Sequence, residues 1–315
     1  MLLRVLACSL LLTTHATLRI SDYNSSFVGD PDVILIGVQK GGTTSLTGLL
    51  AKLLKLFVFS GPNSESHFFS SSFNDNTFNS YIEGFDEHRK EVGDRKSFDG
   101  STTYFPSAEV FRRMKRLYSP ECLRKKKFIL SLREPISRDF SWFSHYFGEC
   151  KKGDYGFCPS HGGPDFHDTF HDYVKRGSSY GYYLKHLKDI LAIIPRDQLF
   201  IYNFEIMVGE QGDDAINRLL YFVGEQPVYS KENLFPHVNV REYHYKGLVE
   251  EDHYHEILCS DIRYLNQTYQ NLNKGLEDFI NLHPDKPVSE PHFLPFSERF
   301  SEKCIEDDGS EVYLY

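Results

Sequence analysis

Val33-Ile-Leu-Ile-Gly37-Val-Gln-Lys40-Gly-Gly-Thr-Thr-Ser45-Leu46 is the stretch that decides the fold. Four apolar residues, Val33 to Ile36, predict a buried strand, and Gly41 and Gly42 permit a turn whose backbone amides converge on one anion. Thr43, Thr44 and Ser45 then offer an N-cap and hydroxyl donors where the amphipathic run Leu46 to Leu56 begins. Lys40 adds a point charge at the same place. The nucleotide-triphosphatase loop, G-x-x-x-x-G-K-[ST], carries its lysine after the glycines; here the lysine precedes them. Taken alone, a glycine turn before a helix is as often only a turn.

A second anchor lies far along the chain. Lys127-Phe-Ile-Leu-Ser-Leu132 predicts another short apolar strand, which runs into Arg133-Glu-Pro-Ile-Ser-Arg-Asp-Phe-Ser141, with Pro135 placed to open a helix. Arg133 would stand at the carboxyl end of that strand, where open α/β sheets bind their ligands. Ser141 follows about two helical turns later and faces the same side. Two such strand ends suit a nucleoside with phosphate at both ends.

These segments resemble the sulfotransferases that use 3′-phosphoadenylyl sulfate (PAPS). Gly37 to Ser45 is similar to their 5′-phosphosulfate loop, and Leu132 to Ser141 to their 3′-phosphate motif. Within that family the chain most resembles the Golgi enzymes acting on glycosaminoglycans, in particular the heparan sulfate glucosamine 3-O-sulfotransferases. An N-E-x-H-F-F-like segment is matched by Asn63-Ser-Glu65-Ser-His67-Phe-Phe69, and a T-P-x-Y-F-like segment loosely by Ser101-Thr-Thr-Tyr-Phe105. The resemblance spans roughly residues 31–282 and weakens after about 225.

The resemblance implies a single α/β domain with a central parallel sheet flanked by helices, a P-loop-like nucleotide-binding fold. Lys40, Gly41, Gly42, Thr43, Thr44, Ser45, Arg133 and Ser141 would hold PAPS. Sulfuryl transfer to a sugar hydroxyl is an in-line displacement, so the enzyme must take the hydroxyl proton and neutralise charge on the leaving phosphate. The resemblance gives the first task to Glu65 and the second to Lys40. His67, two residues on, would point the same way in an extended segment and orients the base or acceptor, or serves as base itself. One departure is Gly100, where the 3-O type carries a lysine that reaches the acceptor. Tyr243-His-Tyr-Lys246-Gly247 is the nearest match to a later basic segment that closes over the nucleotide.

Composition and patterning bound the rest. With 315 residues and 40% hydrophobic content the chain can bury one sizeable core. Strands are predicted near 33–38, 56–59, 97–99, 127–132 and 199–203. Helices are predicted between them, near 44–55, 76–84, 107–117, 136–147, 179–193 and 213–223, with a long helical pattern over 253–281. The expected organisation is a signal peptide over 1–16, a short segment over 17–30, the catalytic domain over 31–283 and an irregular acidic tail over 284–315. The apolar stretch Met1 to Leu12 is too short to span a bilayer, so no stable membrane span is expected. Entry into the secretory pathway, to the Golgi lumen or beyond, fits the sequons at Asn24 and Asn266.

In that compartment Cys150 and Cys158 are the best candidates for a local disulfide, and Cys122, Cys259 and Cys304 hold one further pair that spacing does not identify. His167 and His171 have helical metal-site spacing, but with 14 histidines and no C-x-x-C pair no metal is expected. Residues 1–150 carry 19 basic against 16 acidic side chains, and 151–315 carry 16 against 28. Either of the basic runs Arg112 to Arg116 and Arg124 to Lys127 would suit the lining of a groove for an acidic polysaccharide acceptor, with no nucleic-acid partner expected. Two alternatives stand beside this: a secreted glycan-binding protein without catalysis, and a triphosphate-dependent kinase. The kinase lacks an Asp after the Phe128 to Leu132 strand.

Overall fold

A computed structural model describes residues 31–54, 57–58, 65–71, 73–74, 77–78, 80–85, 96–151, 168–228, 257–296 and 303–313. Its centre is a five-stranded parallel sheet of β1 (Val33–Gly37), β2 (Phe57–Val58), β3 (Ser97–Asp99), β4 (Lys127–Leu132) and β5 (Leu199–Asn203), in the order β2-β3-β1-β4-β5. Strand side chains alternate between two cores. Ile34, Ile36, Phe128, Leu130, Leu132 and Ile201 enter one; Val33, Leu35, Phe98, Ile129, Phe200 and Tyr202 enter the other. An all-parallel sheet needs both faces covered, which is why these strands read as continuous apolar runs.

The helices supply that cover. On the first face lie α2 (Ala108–Leu117), α6 (Tyr183–Leu191) and α10 (Leu276–Asn281), through Val110, Phe111, Met114, Leu187, Ile190 and Ile280. On the second lie α1 (Thr43–Leu54), α7 (Phe204–Val208) and α8 (Gly212–Phe222), through Leu46, Leu50, Met207, Ile216 and Leu220. Between α2 and β4 runs the short α3 (Pro120–Lys125). A third cluster joins α4 (Pro135–Lys151), α5 (Phe170–Arg176) and α9 (Cys259–Leu272).

Strand order places the crevice. From β1 the chain crosses to the β2–β3 side, and from β4 it crosses to β5. The connections leaving the carboxyl ends of these two neighbours therefore part in opposite directions, the topological switch at which such sheets bind ligands.

Two expectations need correction. The pattern over 253–281 is not one helix: α9 ends at Leu272 and α10 starts at Leu276, because Gly275 takes the left-handed conformation at φ 80°. Nor is the chain beyond 284 wholly irregular. Residues 284–296 carry no helix or strand, but β6 (Lys303–Ile305) and β7 (Glu311–Tyr313) form an antiparallel hairpin. The chain between is latched down: Arg196 donates to Glu290 (3.0 Å), which also accepts the amide of Ile201 on β5 (2.8 Å). The sequons and segments placed at 1–30, and Tyr243 to Gly247, lie outside the described residues apart from Asn266, which is exposed on α9.

Candidate active site

The loop after β1 is built against β4. Val38 donates its amide to the Ser131 carbonyl (2.9 Å), and Ser131 Oγ donates to the Gly41 carbonyl (2.5 Å). The Gly41 amide closes the turn on Val38 (3.0 Å). Gly42 takes φ 74°, and a Cβ there would stand 2.1 Å from the Phe204 ring, so both backbone and packing require glycine. Lys40 also lies in the left-handed region, at φ 68°. The first helical hydrogen bond runs from Leu46 to the Gly42 carbonyl (3.1 Å). Thr43, Thr44 and Ser45 are thus first-turn residues and not caps as expected from the sequence, and a first turn leaves its amides outside the helical ladder.

Arg133 and Arg138 reach this loop from the other side of the crevice. Arg133 Nη1 donates to the Lys40 carbonyl (3.1 Å), and its guanidinium lies 5.3 Å from the Phe204 ring centroid. Arg138 Nε donates to the Gln39 carbonyl (3.0 Å), and Nη1 pairs with Asp139 (2.7 Å). Asp139 is held in turn by Tyr173 (3.3 Å) and Tyr269, which ties α4 to α5 and α9. Arg138 is 0% exposed, and its Nη2 is a buried donor with no hydrogen-bond partner among the described residues. Ser141 is half-buried one turn beyond Arg138 on α4. The Lys40 ammonium sits 6.0 Å from the Trp142 ring centroid. Burial, with Arg138 and then Arg133 nearby, pulls Lys40 down to about 8, against the opposing pull of Glu65 and Glu149.

Glu65 and His67 meet in the same crevice, with His67 Nε2 3.0 Å from Glu65 Oε2. The segment is not extended as predicted, since His67 turns at φ 51°, yet the pair still forms. The loop after β3 acts as its template. Ser101 Oγ accepts the amides of Ser66 and His67 (both 2.9 Å). Thr102 Oγ1 donates to both Glu65 oxygens (3.2 Å each), and Thr103 Oγ1 lies 2.9 Å from His67 Nδ1. Beneath them Asp99, wholly buried, accepts from Ser66 Oγ (2.9 Å), Tyr81 (3.0 Å), Tyr104 (2.9 Å) and the Ser101 amide and hydroxyl (3.1 and 2.5 Å). Burial raises the Asp99 carboxyl while these donors oppose the rise. The hydrogen bond to Glu65 raises His67 above its ordinary value.

A sequence profile described as the sulfotransferase domain matches residues 30–245. The chain belongs to the sulfotransferase domain family. Sulfuryl transfer is the chemistry of that family. The solved sulfotransferase from Alicyclobacillus acidocaldarius is 20% identical with a TM-score of 0.55, covering 80% of this chain and 96% of its own, a likeness in fold. Two further solved sulfotransferase domains are more distant. That of the curacin biosynthetic pathway is 13% identical (TM-score 0.41, 64% of this chain and 75% of its own). That of the Synechococcus PCC 7002 olefin synthase is also 13% identical (TM-score 0.42, 65% and 79%). No curated protein matches the chain.

Around this sulfotransferase site the sequence reading missed Arg138 and Asp99. A charged pair, Arg138-Asp139, inside the apolar run Ile136 to Phe143 was the available signal for the first. Several side chains of the two basic runs are engaged by the fold. Arg113 bonds the Phe69 carbonyl (2.7 Å) and, with Arg116, packs on Phe73. Lys126 and Lys127 pack on Tyr118 and Phe222 at the amino end of β4, the end of the sheet away from the crevice. His171 is taken up by Asp261 (2.8 Å), and His167 lies outside the described residues. Cys259 pairs with Cys304. Cys150 is disulfide-bonded to a partner outside the described residues, where Cys158 also lies, and Cys122 likewise has a partner outside them.

Proposed function

We propose that this sulfotransferase moves the sulfuryl group of PAPS to a hydroxyl of a glycan, of glycosaminoglycan type, in the lumen of the secretory pathway. The observation that carries the reading is the convergence of Lys40, Arg138 and Arg133 with the Glu65–His67 pair at the ends of β1 and β4. A buried guanidinium whose Nη2 has no partner among the described residues, beside a cationic loop, fits a polyanionic donor, and Arg133 with Ser141 is assigned the 3′-phosphate.

Glu65 accepts the proton of the acceptor hydroxyl as that oxygen bonds to sulfur, and the sulfur–oxygen bond to the phosphate breaks. Lys40, as ammonium, neutralises the negative charge that grows on the departing phosphate oxygen. The products are the sulfate ester, adenosine 3′,5′-bisphosphate and one proton, carried off from Glu65. His67 fixes the carboxylate by donating from Nε2. No step here calls for a metal ion.

The test is transfer of radiolabelled sulfate from PAPS to a panel of glycosaminoglycans, read as labelled disaccharides. Glu65→Gln keeps bisphosphate affinity within about twofold and loses at least about a hundredfold in kcat. Retention of heparin without any transfer would support the binding-protein reading, and competition of ATP with the bisphosphate would support the kinase reading.

A further inference from the structure

The loop Ser101 to Tyr104 gives each successive side chain a separate partner in the Glu65–His67 segment. Ser101 holds the backbone of Ser66 and His67, Thr102 the Glu65 carboxylate, Thr103 the His67 ring, and Tyr104 the Ser66 hydroxyl (3.0 Å). A further hydroxyl, Ser70 Oγ, lies 2.6 Å from Thr103 Oγ1. We propose that Thr102 and Thr103 are positioning residues for sulfuryl transfer, which fix the orientation of the Glu65 carboxylate and of the His67 ring through a hydroxyl chain that begins at Ser70. This rests on the reading of Glu65 and His67 as the reacting pair.

The geometry sets the direction of every donor. A carboxylate only accepts, so the 3.0 Å contact requires a proton on His67 Nε2. Nδ1 of the neutral ring is then an acceptor, so Thr103 must donate to it (2.9 Å), and the Thr103 oxygen accepts from Ser70. Donation runs Ser70 to Thr103 to His67 to Glu65, while Thr102 donates to the same carboxylate from its own side. When His67 takes a second proton the chain reverses. Nδ1 donates to Thr103, Thr103 to Ser70, and Ser70 to the His67 carbonyl, 3.2 Å away. Two hydroxyl rotations thus keep the ring satisfied in both charge states without moving it off Glu65.

The experiment compares full-length wild type with Thr103→Val, Thr103→Ser and Thr102→Val. Imidazole ¹⁵N shifts give the His67 tautomer, and steady-state turnover of PAPS with O-desulfated heparin gives kcat and KM. Wild type is expected to show neutral His67 protonated at Nε2. Thr103→Val is expected to keep the Nε2 proton that Glu65 dictates but to shift the Nδ1 resonance, which has lost its donor, and to lower kcat about tenfold, with KM for PAPS within about twofold, one hydrogen bond's worth at the reacting pair. Thr103→Ser restores both, and Thr102→Val lowers kcat with the Nδ1 resonance unchanged. A folded Thr103→Val with the wild-type Nδ1 shift, or a Thr103→Ser that rescues neither readout, overturns the proposal. If wild type transfers no sulfate to any acceptor, the functional reading fails, and the nitrogen shifts still decide the role of Thr103.

Discussion

Lys40 titrates at about 8, and this makes nucleotide affinity depend on pH above 7. With the ammonium near 8, its charged fraction falls from about nine tenths at pH 7 to about one tenth at pH 9. The depression comes from burial first and from Arg138 second. The charge of a bound dianionic phosphate outweighs both influences and returns the group to its charged form. Binding therefore takes up a proton, by up to about one equivalent between pH 8 and 9, and affinity falls by about tenfold between pH 7 and 9. The ligand's own phosphates are already fully ionised in this window, since their second ionisation lies near about 6. Isothermal titration of adenosine 3′,5′-bisphosphate, in buffers of different ionisation enthalpy, measures affinity and proton uptake together. Lys40→Arg supplies a charge that does not titrate in this range and should flatten the dependence. A flat profile in wild type, or an unchanged slope in Lys40→Arg, would refute the reasoning.

Gly42→Ala must hold φ 74° against the Phe204 ring, so it should cost about 1–3 kcal/mol in urea unfolding and weaken bisphosphate binding, whereas Gly48→Ala, with open space around its Cβ, should not weaken it. Asp99→Asn replaces an acceptor of five hydrogen bonds with a group that also donates. It should lose roughly 2–4 kcal/mol of stability and lower kcat through Ser66, whereas recovery of normal turnover would show that Glu65 is held by Thr102 alone. Cys304→Ser opens a crosslink across a sequence separation of 45 residues and should lower stability by about 4 kcal/mol by loop-closure entropy, a loss that dithiothreitol exceeds in wild type because it also opens the bonds of Cys122 and Cys150.

The parts of the site that sequence displays are those written in consecutive residues. The apolar run, glycine pair and helix start after Ile36, and the strand ending at Arg133, each carry their own local signal, and the five strands fall where the apolar runs place them. What local pattern does not carry is pairing across distance. Asp99 is an acidic residue at the end of a short predicted strand, and nothing local marks it as buried until Tyr81 and Ser66 are brought to it from other segments. Arg138 reads as a solvated helix residue until Gln39 and Asp139 enclose it. The break at Gly275 is a glycine signal overridden by a strong apolar period on either side. The left-handed Lys40 has no sequence mark, because only glycine advertises that conformation.

The latch from Glu290 to Arg196 and Ile201 bears on where this polypeptide can be cut. The family profile ends at residue 245, but Leu276, Ile280 and Phe293 fill the same core as β1 and β4, and Glu290 satisfies an amide on the last strand of the sheet. A chain terminated at the profile boundary would bare that strand's edge and strip one core of part of its lining, inviting strand-to-strand association between molecules. The smallest piece that folds on its own thus reaches well past the piece that carries the family signature, and gene truncations for expression belong beyond Phe296.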